Sequence, residues 1–228
     1  KASGAEISGY SGALEVNVVD FGADKKGKKD SSKAIQKALD YAIDNGSNSV
    51  QIKVVVPKGK YRIDRLLEIY SNTWLYLEDG ATIVRNFDKG CMIKNAQANG
   101  AGGYGSERNI VIEGGCWDGN PSSTSRPFSN MRFGHMKNLW IKNVEIKNNY
   151  NGHHVEIGGV NGITIEDCDF HGYTGTFQKE AIQLDTISNS DVFPAYEPFD
   201  DTPCDNAVIK NNKFHDLIRG LGSHSACL

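Results

Sequence analysis

The sequence carries no basic surplus. Its 25 Lys and Arg against 28 Asp and Glu leave a formal charge of −3, too little positive charge to neutralise a phosphate backbone, which excludes a general nucleic-acid binder. It has no run of about 18 apolar residues, so no helix is expected to cross a membrane. Its five cysteines, Cys91, Cys116, Cys168, Cys204 and Cys227, form no Cys-x-x-Cys pair. Their odd number and the lack of such a pair argue against a cysteine zinc site, and their wide spacing against a small disulfide scaffold. Cys116 and Cys168 fall within apolar strand patterns and are read as buried thiols. Proline is scarce, with 6 residues, while glycine is abundant, with 25. With 39% hydrophobic and 23% charged residues the chain is not disordered, and 228 residues suffice for a domain with its own core. Many glycines and asparagines among short apolar runs predict many short strands separated by turns.

Residues 1–14 are small and polar and read as an N-terminal arm, and residues 15–60 as a leading strand and a helix. The chain begins Lys1-Ala2-Ser3-Gly4, which fits a mature secreted chain as well as a trimmed one. Asp30-Ser31-Ser32 supplies N-cap chemistry, and Ala34, Ile35, Ala38, Leu39, Ala42 and Ile43 recur at helical spacing. Asn45-Gly46 is expected to end this helix in a left-handed cap. The remainder, residues 61–228, reads as strand and turn.

Four segments within it align: Asn109-Ile110-Val111-Ile112, Asn138-Leu139-Trp140-Ile141, Asn161-Gly162-Ile163-Thr164-Ile165 and Asn206-Ala207-Val208-Ile209. Each is followed, five residues after its last Ile, by a large apolar residue: Trp117, Ile146, Phe170 and Phe214. The Ile anchors are 29, 24 and 44 residues apart. A period in the twenties with no helical pattern between strands predicts stacked coils rather than a βαβ sheet. The expected fold is all-β: one right-handed parallel β-helix domain whose N-terminal end is covered by the helix, shielding an otherwise open strand edge. The long interval makes residues 186–203 a loop expelled from the stack. Because the sequence stops within a rung at Ser223 to Leu228, missing coils or a partner chain are expected at that end.

The segment Val16-Asn17-Val18-Val19-Asp20-Phe21-Gly22-Ala23-Asp24, followed by Asp30-Ser31-Ser32-Lys33-Ala34-Ile35-Gln36-Lys37-Ala38-Leu39, resembles the opening motif of the pectate-lyase-like β-helix superfamily. Val55-Val56-Pro57-Lys58-Gly59-Lys60-Tyr61 resembles the Pro-x-Gly-x-Tyr that follows it there. The resemblance implies a parallel β-helix and a glycan-directed activity, among polygalacturonase-like glycoside hydrolases, polysaccharide lyases and phage tailspikes. It also implies a secreted, extracellular or cell-surface protein. The Asn-Thr-Asp, Asp-Asp, Gly-His-Gly and Arg-Ile-Lys set of polygalacturonases does not occur as such.

Stacking the rungs places His154-Val155-Glu156-Ile157-Gly158, Ala181-Ile182-Gln183-Leu184-Asp185 and Gly220-Leu221-Gly222-Ser223-His224 side by side. With Val155, Ile182 and Leu221 inward, alternation turns Glu156, Gln183, Asp185 and His224 outward. Glu156 and Asp185 then differ by one rung and two residues, roughly 8 Å between backbones, within the range of inverting glycosidases. Asp185, Glu156 and His224 are therefore the candidate catalytic residues. His154, Gln183, Lys179, Arg219 and Tyr196 are the candidate substrate contacts, and Gly158, Gly159, Gly220 and Gly222 are expected to open a groove. Asp200, Asp201 and Asp205 lack calcium-loop spacing, and neither a metal nor a cofactor is assigned. The expected function is a glycoside hydrolase acting on a poly- or oligosaccharide. A lyase, with Lys179, Arg219 or His224 neutralising a uronate carboxylate, and a non-catalytic glycan-binding adhesin are the alternatives.

Overall fold

The computed structural model describes residues 2–97 and 100–224; Cys227 and the end expected to be open, residues 225–228, lie outside the described residues. The chain is a right-handed parallel β-helix. Each coil runs through three strand faces. The first face stacks Gly12–Asn17, Val50–Val56, Thr73–Leu77, Glu107–Glu113, the second halves of Met131–Lys142 and Val155–Glu166, and Asp205–Lys210. The second stacks Lys26–Asp30 through Lys213–His215. The third stacks Leu67–Ile69, Ile93–Asn95, the first halves of the two twelve-residue strands, Glu180–Asp185 and Arg219–Ser223.

The core consists of columns running along the axis. Val54, Leu75, Ile112, Ile141, Ile165 and Ile209 are successive register partners. So are Tyr61, Ile83, Trp117, Ile146, Phe170 and Phe214. The repeat read from sequence is thus the register of the stack, because identical inward positions must recur once per coil for the apolar face to stay buried. In the last described rung Phe214 and Leu221 continue inward columns but are exposed.

Asparagine marks the corners. Asn72, Asn109, Asn138 and Asn206 have φ of 61°, 56°, 58° and 56°, and Gly162, at 82°, takes the same place in the coil between. This left-handed conformation is tolerated by Asn and Gly. The side chains form a ladder, Asn138 Nδ2 donating to Asn109 Oδ1 (3.0 Å) and Asn109 Nδ2 to Asn72 Oδ1 (3.2 Å). The N-terminal arm lies across this corner. Its Ser3, Ala5 and Glu6 amides donate to Asn206 Oδ1, Thr164 Oγ1 and Asn138 Oδ1, and the Tyr10 hydroxyl to Asn72 Oδ1.

The helix, Ser32–Asn45, buries Ala34, Ile35, Ala38, Leu39 and Ala42. It takes the place of a third-face strand and covers the first rung. Two expectations about it are corrected. Ile43 is 56% exposed rather than part of the buried stripe. Gly46 is extended, with φ −80°, not left-handed. Glycine is required there because a Cβ would lie 2.7 Å from the Ala42 carbonyl oxygen. At the helix start Asp30 Oδ1 accepts from the Ser32 amide at 2.8 Å, while the Ser31 side chain at the N-cap makes no capping hydrogen bond. Cys91, Cys116, Cys168 and Cys204 are buried, and burial first of all pushes the Cys116 and Cys168 thiols up to about 12.

A carboxylate cleft as candidate functional site

The third face carries a cleft of about 390 Å³ walled by Phe128, Phe177, Asp191 and Pro194. On its floor the register is Arg132–Glu156–Gln183–Gly222, with Asp185 opposite Gly158. Glu156, Gln183, Asp185, Lys179 and His224 all line it, together with Arg132, Ser129, His153 and Glu180.

The two carboxylates have opposite surroundings. Glu156 is 5% exposed and is held by Arg132 Nη2 (2.7 Å), Arg132 Nε (2.9 Å) and Ser129 Oγ (2.7 Å), all on Oε2. Burial alone would raise its pKa, but the Arg132 guanidinium, His153 and the Ser129 hydrogen bond outweigh burial and hold it below the usual carboxylate range. Asp185 is 2% exposed. Gln183 Nε2 donates to its Oδ1 at 2.9 Å, and His224 Nδ1 lies 3.0 Å from the same oxygen. No cation pairs with it as tightly as Arg132 pairs with Glu156, so burial, aided by the charge of Glu156, pushes it up against the Gln183 hydrogen bond and His224. Among the described residues the buried Oε1 of Gln183 has no hydrogen-bond partner, which leaves an acceptor in the cleft floor.

A family model described as "Rhamnogalacturonase A/epimerase, pectate lyase-like" matches residues 15–221. The chain belongs to this family. Among curated proteins it is 27% identical over 247 residues to plasmin and fibronectin-binding protein A of Streptococcus pneumoniae, a match covering 92% of this chain and 33% of that protein. Among solved structures it resembles the S. pneumoniae surface protein and adhesin PfbA, with 22% identity, a TM-score of 0.79 and coverage of 93% of this chain and 57% of that chain. It also resembles the Yersinia enterocolitica family 28 exopolygalacturonase, with 17% identity, a TM-score of 0.66 and coverage of 89% and 43%. At these identities the structural likeness speaks for fold alone. The chain thus spans 33% of the curated relative and 57% of the adhesin structure.

Within this pectate lyase-like coil, three expected substrate contacts lie elsewhere. His154 is fully buried rather than outward. It sits before the strand Val155–Glu166 begins, so alternation does not govern it. Its Nε2 meets the His171 carbonyl at 2.9 Å, its ring meets Phe170 edge-on, and burial lowers its pKa to about 4. The neighbouring His153 faces the cleft instead. Tyr196 is fully buried; its hydroxyl lies 2.9 Å from Asn95 Oδ1 and 3.0 Å from the Arg132 carbonyl oxygen, with one proton to give to either. Arg219 stands outside the cleft lining, bound to Glu180 Oε1 (3.1 Å) and Gln178 Oε1 (2.7 Å).

Gly158 and Gly159, expected to open a groove, instead lie under the 186–203 loop, Gly159 with an ideal Cβ 2.9 Å from Ile187 Cδ1. A Cβ on Gly158 would lie 2.9 Å from the Phe193 ring, and one on Gly134 2.6 Å from the Tyr196 ring. These positions receive the 186–203 loop, whose Ile187, Phe193 and Tyr196 form a separate buried cluster. The loop therefore plugs one part of the face and leaves Asp191, Val192 and Pro194 on the cleft rim. Gly222 makes room for Gln183 Oε1 and Glu180 Cγ, each 2.7 Å from its ideal Cβ. Arg132 was missed by the sequence reading. The 24-residue step that sets Ile141 against Ile165 also sets Arg132 against Glu156, and that arithmetic would have found it.

Proposed function

We propose that the cleft is the active site of a glycoside hydrolase, with Asp185 as general acid and Glu156 as the ionised partner. The observation that carries this is the divergence of the two carboxylates within one cleft: burial raises Asp185, while Arg132 keeps Glu156 low. Environments that push two carboxyl groups apart supply one proton donor and one base at the same pH. Asp185, steered by Gln183 and His224, protonates the glycosidic oxygen as it leaves. Glu156, whose Oε2 is taken by Arg132 and Ser129, has Oε1 left to draw a proton from the attacking water. The register separates the pair by one rung and two residues, about 8 Å between backbones, a spacing compatible with inversion. Lys179 and His153 supply hydrogen bonds to sugar hydroxyls, and Phe177, 51% exposed on the rim, a face for a sugar ring.

The match to plasmin and fibronectin-binding protein A supports a second reading, a surface adhesin that uses this coil to bind without cleaving. Either reading places the protein outside the cell or on its surface. A further coil, of this chain or of a partner, is proposed to cover Phe214, Ile218 and Leu221, which are 39%, 46% and 53% exposed. The deciding experiment is a product screen of the full-length protein on neutral and acidic glycans. New reducing ends without enoate absorbance support the hydrolase, and enoate absorbance would replace it with a lyase. Glycan or protein binding with no cleavage leaves the adhesin.

A further inference from the structure

The second face carries a cluster of histidines and acids that the cleft does not use. His171 and His215 are register partners on adjacent coils. Their rings stack with centroids 4.6 Å apart and planes 11° apart. Asp169 lies two residues before His171 on the same strand, so both project from the same face. His215 Nε2 lies 3.0 Å from Asp169 Oδ1, and one donor atom from each of Asp169, His171 and His215 falls within 4.8 Å of the others. Each imidazole also has its own carboxylate: His215 Nδ1 is 3.0 Å from Asp216 Oδ2, and His171 Nε2 is 2.9 Å from Glu145 Oε1.

We propose that Asp169, His171 and His215 form a zinc site that ties two successive coils of the second face together. Two imidazoles and a carboxylate are a borderline donor set suited to Zn²⁺ rather than to Ca²⁺ or Mg²⁺. Bonds of about 2.0–2.1 Å in a tetrahedral site set donors about 3.3 Å apart. The Asp169–His215 pair already stands at 3.0 Å. The donor atoms all lie within 4.8 Å of one another, so the widest pair must close by at most about 1.5 Å to reach tetrahedral spacing, a change within reach of side-chain rotation. The parallel ladder supplies the rest, since it holds the two histidine backbones one rung apart without any ligand. Asp216 has the place of the outer carboxylate that fixes a ligating imidazole: accepting from Nδ1–H, it leaves the Nε2 lone pair turned to Asp169 and the ion. A depression alongside, lined by Asp79, Glu145, Asp167 and Asp169, gives a cation an acidic approach. The site lies on a different sheet from Glu156 and Asp185, so it stands or falls independently of the cleft.

The test is a zinc titration of tag-free protein against a chromophoric chelator, compared with H171Q, H215Q and the double variant. The expected result is one zinc per chain, bound at least tenfold more weakly in each single variant and lost in the double. No uptake at micromolar free zinc would overturn the proposal, as would a double variant that binds as the parent does. Should a variant misfold, imidazole NMR of the unaltered protein decides. Zinc must shift the His171 and His215 ring signals together, and a titration that moves neither ring contradicts the site.

Discussion

Replacing Arg132 with Met tests the electrostatics of the cleft. Arg132 reaches Glu156 through two nitrogens, at 2.7 and 2.9 Å, and the two side chains are only 20% and 6% exposed. Met keeps most of the aliphatic volume but leaves Glu156 with Ser129 as its remaining direct hydrogen-bond donor. Removing one partner of a buried pair costs about 3–5 kcal/mol, because the other charge is then buried without compensation. At about 2–4 °C per kcal/mol for a chain of this size, the melting midpoint falls by roughly 6–20 °C at neutral pH. The loss depends on pH with a definite sign. In the parent protein the lowered pKa of Glu156 contributes stability that is present above the ordinary Glu value and disappears as pH falls through the folded-state value. In the variant burial acts unopposed by Arg132, so the folded state binds a proton more readily than the unfolded chain and gains on the parent as pH falls. Urea unfolding from neutral pH to about pH 4 should therefore show a large gap that narrows with acid, and R132M/E156M should recover most of it. A single variant within about 1 kcal/mol of the parent at neutral pH, or a gap that does not change with pH, would refute the reasoning.

Three further outcomes follow from the same structure. Asp185→Asn removes a carboxylate whose raised pKa makes ionisation costly to the fold. Its thermal midpoint should match or exceed the parent's at neutral pH and lose that advantage in acid, where Asp185 is protonated; a lower midpoint at neutral pH would contradict the burial argument. Phe193→Ala empties the centre of the loop cluster and should cost about 3–5 kcal/mol, or as much of that as local opening allows, read as accelerated proteolysis within residues 186–203. Asn138→Ala puts a residue without αL tolerance at φ 58° and breaks the ladder to Asn109 and the acceptor for the Glu6 amide. It should lower stability by about 1–2 kcal/mol and speed hydrogen exchange at the arm's amides, while leaving exchange on the third face unchanged.

The repeat was legible because a solenoid imposes it. Inward columns such as Trp117–Ile146–Phe170–Phe214 can form only if equivalent residues return once per coil, and the sequence carries that return openly. Glu156, Gln183 and Asp185 were placed by the same counting, being mid-strand residues where alternation holds. His154 escaped it because it stands at a corner, where the backbone turns before the strand begins. Tyr196 and Gly158 escaped for a different reason. Whether a glycine beside two carboxylates admits a sugar ring or a phenylalanine depends on how an eighteen-residue loop folds back, and that loop has no period to read. The cap at Gly46 failed because the glycine is demanded by a close local approach to the Ala42 carbonyl one helical turn back, which leaves the same Asn-Gly composition as a left-handed turn.

The central claim is that Asp185 is the proton donor of a glycan-cleaving site. It is tested most directly by the turnover of Asp185→Asn in the full-length protein, on whichever glycan the product screen identifies, with Arg219→Ala as a neighbour outside the cleft. The account predicts that Asp185→Asn loses at least a hundredfold in kcat, as removal of a general acid does, with its fold intact, while Arg219→Ala stays within a few-fold of the parent. Turnover retained in Asp185→Asn would contradict it.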